Sequence, residues 1–188
     1  MKKSVLRIQG LALLVMTALI TGCATVPGSD LDREQLRERA AAALQQFRQA
    51  DPSLETRFFD SAAGWAVFPS VGKAGAGYGG AFGRGVLYVD DQPVGYTSLT
   101  QASIGFQFGG QVYKELIFFE DRGALAEFRA GDLAFSAQVS AVAATADAGL
   151  AARYRNGVAV FLLDGKGLMY EASVGGQKFE FVPFDEID

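Results

Sequence analysis

The chain has 188 residues, near the length of one large domain. It is 49% hydrophobic and 20% charged, which excludes disorder over most of its length. His is absent and Cys occurs once, so a Ser-His-Asp triad, a His base, a His-ligated metal, an intrachain disulfide and a thiolate zinc cluster are all excluded.

Residues 1–22 read as a secretory signal. Lys2, Lys3 and Arg7 form a basic start, and Leu11 to Ile20 is an apolar run too short to span a bilayer. Leu19-Ile20-Thr21-Gly22-Cys23 resembles a bacterial lipobox, in which the Cys is diacylated and becomes the new N-terminus. The alternative is an ordinary signal followed by a chance Cys. That the single Cys stands at the lipobox position favours acylation, and two acyl chains anchor stably where one is marginal. Ala24, rather than Asp, after the Cys implies an outer-membrane lipoprotein facing the periplasm by the enterobacterial sorting pattern. Residues 1–22 hold three of the 17 basic residues and none of the 21 acidic ones, so the remaining 166 carry a net charge of −7. That balance argues against nucleic acid, which needs a basic footprint, and leaves electrostatic attraction to lipid a local role at most.

Residues 23–30 form a tether containing Pro27-Gly28, and the folded domain is expected over 31–188. Ser29 or Asp30 can cap a helix to about Gln49, with Leu36, Ala40, Ala43, Leu44 and Phe47 on one face and Arg33, Glu34, Arg37, Glu38 and Arg48 opposite. Asp51-Pro52 ends it, and Ser53 is placed to cap a second helix through Ala63. Trp65 to Phe68 is a short apolar strand stopped by Pro69. A glycine-rich stretch then runs into Val86 to Val89, with a turn at Asp90 to Pro93. Ile104, Phe106 and Phe108 alternate with small or polar residues as a strand does, and Val112 to Glu120 follows. Asp121 caps a short helix holding Leu125 and Phe128, closed by Gly131. Phe135 to Ala144 fits strand or helix equally. Val158 to Leu163 and Leu168 to Val174 read as a hairpin across Asp164 to Gly167, and Lys178 to Val182 is a last strand. Seven or eight strands and three helices, without βαβ alternation, predict one α+β domain on a strongly curved, mostly antiparallel sheet or partial β-barrel.

Gly75-Ala76-Gly77-Tyr78-Gly79-Gly80 matches a dinucleotide fingerprint in letters only, because no helix starts inside it. Between residues 72 and 110, 11 of 39 positions are Gly. Glycines on one face of a strand permit sharp bending or close approach of another backbone, and the alternative of a ligand crevice remains open. No Walker A motif or nucleophile elbow occurs, and acidic pairs such as Asp90-Asp91 and Glu120-Asp121 fall at turns.

Gly64-Trp65-Ala66-Val67-Phe68-Pro69, Val71-Gly72-Lys73-Ala74-Gly75, Gly79-Gly80-Ala81-Phe82-Gly83-Arg84-Gly85-Val86-Leu87-Tyr88 and Ser103 to Gln111 together resemble the SYLF domain family, over about Leu36 to Pro183. The resemblance implies a non-catalytic domain with no metal or cofactor. Eukaryotic relatives bind phosphoinositides and some engage actin; bacterial ones are often secreted or lipid-anchored. It further implies contact with phospholipid head groups, with Arg57, Lys73, Arg84 and Lys114 as the cations of interest and Cys23 as the site of lipid attachment. The competing expectation is a structural or protein-interaction lipoprotein without a lipid ligand.

Overall fold

The computed structural model describes residues 25–132, 141–142, 152–165, 167–171 and 176–187. The predicted signal and Cys23 lie outside them, as does the ambiguous stretch 135–144 apart from Ala141–Val142.

Helix α1 spans Asp30–Ala50. Ser29 caps it, its hydroxyl accepting from the Asp32 amide at 3.1 Å. Asp30 and Asp32 in the first turn and Arg48 in the last complement the helix dipole. Leu36, Ala40, Ala43, Leu44 and Phe47, the predicted apolar stripe, are its buried residues. The next segment departs from expectation. Asp51, not Ser53, makes the cap, accepting from the Ser53 amide at 2.9 Å. Helical structure then ends in a π-helical turn, Glu55–Phe59, rather than at Ala63. Its wider winding, closed by the Asp60 amide donating to the Glu55 carbonyl at 3.0 Å, directs two consecutive aromatics, Phe58 and Phe59, into the core.

Two very long strands replace the several short ones expected. Strand β1 runs over Gly64–Val89 and β2 over Gln92–Phe119, joined by Asp90 and Asp91 with φ of 51° and 60°. Two left-handed residues are what a tight primed hairpin turn requires. Pro69 therefore does not stop the strand. It falls at a register shift between Phe68 and Val71, where its missing N–H costs no ladder bond. A second shift, between Gly75 and Gly77, bends the hairpin.

The bend folds β1 back along itself. The Trp65 ring stacks on Tyr88 with centroids 6.3 Å apart. A Cβ at Gly85 would stand 2.4 Å from the Val67 carbonyl oxygen and 2.8 Å from Phe68 Cδ1. One at Gly83 would stand 2.9 Å from Val71 Cγ2. These two glycines are thus required by backbone approach, and the fingerprint-like run before them is strand throughout.

The rest of the sheet builds on β2. Strand β4 (Val158–Asp164) pairs with its Lys114–Phe119 arm, and β6 (Gln177–Pro183) with its Gly95–Gln101 arm. Strand β5 (Gly167–Glu171) pairs with β4 as the predicted hairpin, and β3 (Ala141–Val142) with β5. The ladders are antiparallel and the sheet is open. Helix α2 (Arg122–Ala130) begins at Asp121, whose carboxylate accepts from the Gly123 and Ala124 amides, and ends at Gly131 with φ 75°.

Both sheet faces are covered. On one, α1 packs with Phe58, Trp65, Tyr88, Phe118 and Phe161. Phe58 alone meets Phe118, Tyr154 and Phe161 at 5.1 to 5.3 Å between ring centroids. On the other, α2 packs Phe128 between Phe119 and Phe179, beside Ala66, Phe68 and Ile117. The α+β single domain on a curved antiparallel sheet is the expected class, with two strands far longer than expected.

Gly85→Ala should lower unfolding free energy by about 2–4 kcal/mol, since the methyl must displace backbone in a packed site. Gly72→Ala, where a Cβ meets nothing within 4 Å, should stay within about 0.5 kcal/mol of the parent. Urea melts of both variants measure the difference.

Candidate functional site

Arg84 stands opposite Ser98 on β2, and Ser98 stands opposite Glu180 on β6, so the three share one row across the sheet. Thr25 lies on this row. Its hydroxyl is 2.9 Å from Ser98 Oγ and donates to Glu180 Oε2 at 2.8 Å. Thr25 and Ser98 are both buried. The tether is therefore docked at this point. A burial of two hydroxyls and a carboxylate contact is tolerated because each finds a partner.

Beside this row is a cavity of about 370 Å³ between the start of α1 and the bend of β1. Arg39, Arg84, Asp32, Gln35 and Ser70 give it polar character, and Pro27-Gly28 of the tether form one wall. Two guanidinium groups oppose one carboxylate, so the lining is locally basic on a chain whose net charge is negative. Arg84 lies with its Cζ 5.6 Å from the ring centroid of Phe82, which also lines the cleft. Arg is suited to phosphate and carboxylate through its planar fork of donors.

The four predicted cations do not converge. Arg84 lines this cleft. Lys73, half-buried and paired in register with Gln111, lines a separate groove with Tyr113, Leu162 and Met169. Lys114 is half-buried opposite Leu163 on β4. Arg57 is exposed on the π-helical turn. Arg39, which joins Arg84, was not singled out from sequence. It sits three residues after the buried Leu36, on the flank of the helix that meets the sheet bend. Helical periodicity placed it near that face, but only the fold of β1 brings Arg84 to it.

A third cavity, of about 420 Å³, is lined by Arg33, Arg37, Tyr96 and Phe184 among others. There Arg37 donates to the Tyr96 hydroxyl at 3.2 Å. Burial raises the Tyr96 pKa above the usual phenol range, against the pull of the Arg37 charge. Among the described residues, no group of three or more acidic or Cys side chains is arranged to hold a metal ion.

The chain is similar to Beta cell expansion factor A of Aeromonas veronii. The two are 29% identical over 150 residues, which is 78% of this chain and 56% of that protein. The chain thus spans little more than half the length of this curated relative. No family model matches the chain.

Thr25→Val should free the docked segment. Amide exchange at Thr25, Val26 and Gly28 should rise while core strands keep their protection, with a stability loss of about 1 kcal/mol from the two broken hydrogen bonds. Unchanged exchange at these residues would show that the docking does not depend on the Thr25 hydroxyl.

Proposed function

We propose that the chain is a lipid-anchored envelope protein carrying a SYLF-type domain, and that this domain binds the head groups of phospholipid or a related amphiphile without catalysing a reaction. Arg84 and Arg39 form the binding pair, and Cys23 carries the acyl anchor, with the protein facing the periplasm from the outer membrane. The observation that carries the reading is the docking of Thr25 across the Arg84–Ser98–Glu180 row. Cys23 is two residues before Thr25, hence within about 7 Å of it along the chain. An acyl chain on Cys23 would hold the basic cleft against the bilayer surface. Cations need to lie within a Debye length of anionic lipid to contribute, and this arrangement meets that need despite the net negative charge.

The motifs at Gly64 to Gly75 and Gly79 to Tyr88 support the family reading, since they are the two arms of β1 that pack together. The similarity to Beta cell expansion factor A is compatible with it. Among the described residues, the exposed large apolar side chains are Leu31 and Val112.

The mature chain from residue 23, with Cys23→Ser to remove the anchor, should co-sediment with phosphatidylglycerol vesicles. Arg39→Ala/Arg84→Ala should weaken that binding roughly 30-fold, at about 1 kcal/mol per cation near the surface. Lys73→Ala should leave it unchanged. Binding that is absent from anionic and zwitterionic vesicles alike, or indifferent to the double substitution, contradicts the reading.

A further inference from the structure

The lining of the basic cleft holds charges of both signs that do not neutralise one another. On α1, Asp32, Gln35, Leu36 and Arg39 fall at i, i+3, i+4 and i+7, so one face of the helix presents them all to the bend of β1. Asp32 and Arg39 are exposed, and among the described residues neither takes part in an ion pair. From residue 32 to residue 39 the helix rises about 10 Å, which holds the two charges apart. Arg84, half-buried, enters the same cleft from the sheet.

The Asp32 carboxylate is held in place by a neutral partner. Ser29 Oγ donates to its Oδ2 at 2.6 Å, and the same hydroxyl accepts from the Asp32 amide. A hydroxyl orients a carboxylate and leaves its negative charge available. Among the described residues no side chain donates to Oδ1. Gly28, next to Ser29 in the chain, is part of the cleft wall, and a Cβ there would meet nothing within 4 Å. This end of the cleft therefore has room.

A cavity of about 370 Å³ with two guanidinium groups and a separate carboxylate fits one small group that carries both charges. A phosphate diester is anionic and offers only acceptors, which suits the planar donor forks of Arg39 and Arg84. A primary ammonium close to that phosphate brings positive charge and N–H donors, which suit Asp32.

We infer that the cleft selects phosphoethanolamine head groups, with the phosphate on Arg39 and Arg84 and the ammonium donating to the Asp32 carboxylate. This rests on the phospholipid-binding reading above and names the head group within it. Choline carries the same charges without an N–H and leaves Asp32 with no donor. Glycerol offers hydroxyls without positive charge. A site built to receive a donor discriminates against analogues that lack it. Asp32 is thus the specificity-determining residue, while the arginines supply affinity for the phosphate.

The mature chain from residue 23, with Cys23→Ser, is titrated with phosphatidylglycerol vesicles containing an equal share of either phosphatidylethanolamine or phosphatidylcholine. The ethanolamine vesicles should bind roughly 10-fold more tightly, the scale of one hydrogen bond between charged groups at a solvated site. The two lipids also pack differently in a bilayer, so soluble head groups are added as competitors. Glycerophosphoethanolamine should release the bound protein at concentrations at which glycerophosphocholine does not. Asp32→Asn keeps an acceptor for Ser29 Oγ, and should bring the two vesicle types to within about 2-fold of each other while binding to pure phosphatidylglycerol vesicles holds. Glu38→Gln removes the same charge from α1 at an exposed position outside the cleft, and should keep the preference. Equal binding of the two vesicle types, equal competition by the two soluble head groups, or a preference that survives Asp32→Asn would overturn the inference and leave the phospholipid-binding reading standing. Loss of the preference in Glu38→Gln would overturn the Asp32 contact in favour of overall charge. Binding to no vesicle would overturn both. The head-group comparison precedes any change in the cleft, so it decides the matter even where a variant fails to fold.

Discussion

The close passage of β1 over itself is the constraint on which the rest depends. Val67 to Val71 of one arm lies against Gly83 and Gly85 of the other, at separations no Cβ would tolerate. A 26-residue strand cannot stay flat while doing this, so the hairpin bends at Gly75–Gly77 and carries β2 with it. The two arms of β2 then face different neighbours, β4 on one and β6 on the other. Curvature, core and both candidate sites follow from that single approach.

The bend places chemistry at its two margins. On the α1 side it brings Arg84 to Arg39 and aligns Ser98 and Glu180 beneath Thr25. On the other side it brings Gln177, held by one arm of β2, against Glu115 of the other arm, 62 residues away in sequence. A flat hairpin would leave both polar side chains in water. The fold therefore separates an arginine-lined cleft from the groove that holds Lys73.

Much of this was legible from local signals. The apolar stripe of α1 from Leu36 to Phe47, the caps at Ser29 and Asp121, the left-handed Gly131 and the hairpin across Asp164–Gly167 all rest on contacts within a few residues. So did the reading of the glycines as places of close backbone approach, which Gly83 and Gly85 satisfy. What escaped depended on distant partners. Pro69 reads as a strand end, and only a bulge opposite β2 lets the strand continue. Ser53 reads as a cap because it follows Asp51-Pro52, yet the Asp51 carboxylate takes that role. Glu115 sits within an apolar run from Val112 to Phe119 and has no local mark of being wholly buried. Thr25 looks like part of a linker until β6 supplies Glu180. Lys73 and Arg84 look alike in sequence, yet they line different cavities.

The central functional claim is that the Arg39/Arg84 cleft faces the bilayer. Spin labels at Ser70, on the cleft, and at Glu127, exposed on α2, report this directly when the anchored chain is reconstituted in anionic vesicles. Accessibility of each label to a water-soluble relaxation agent is the measured quantity. The account predicts that the label at Ser70 becomes shielded on vesicles while the label at Glu127 stays as accessible as in solution. Equal accessibility at the two positions, or shielding confined to Glu127, would contradict it.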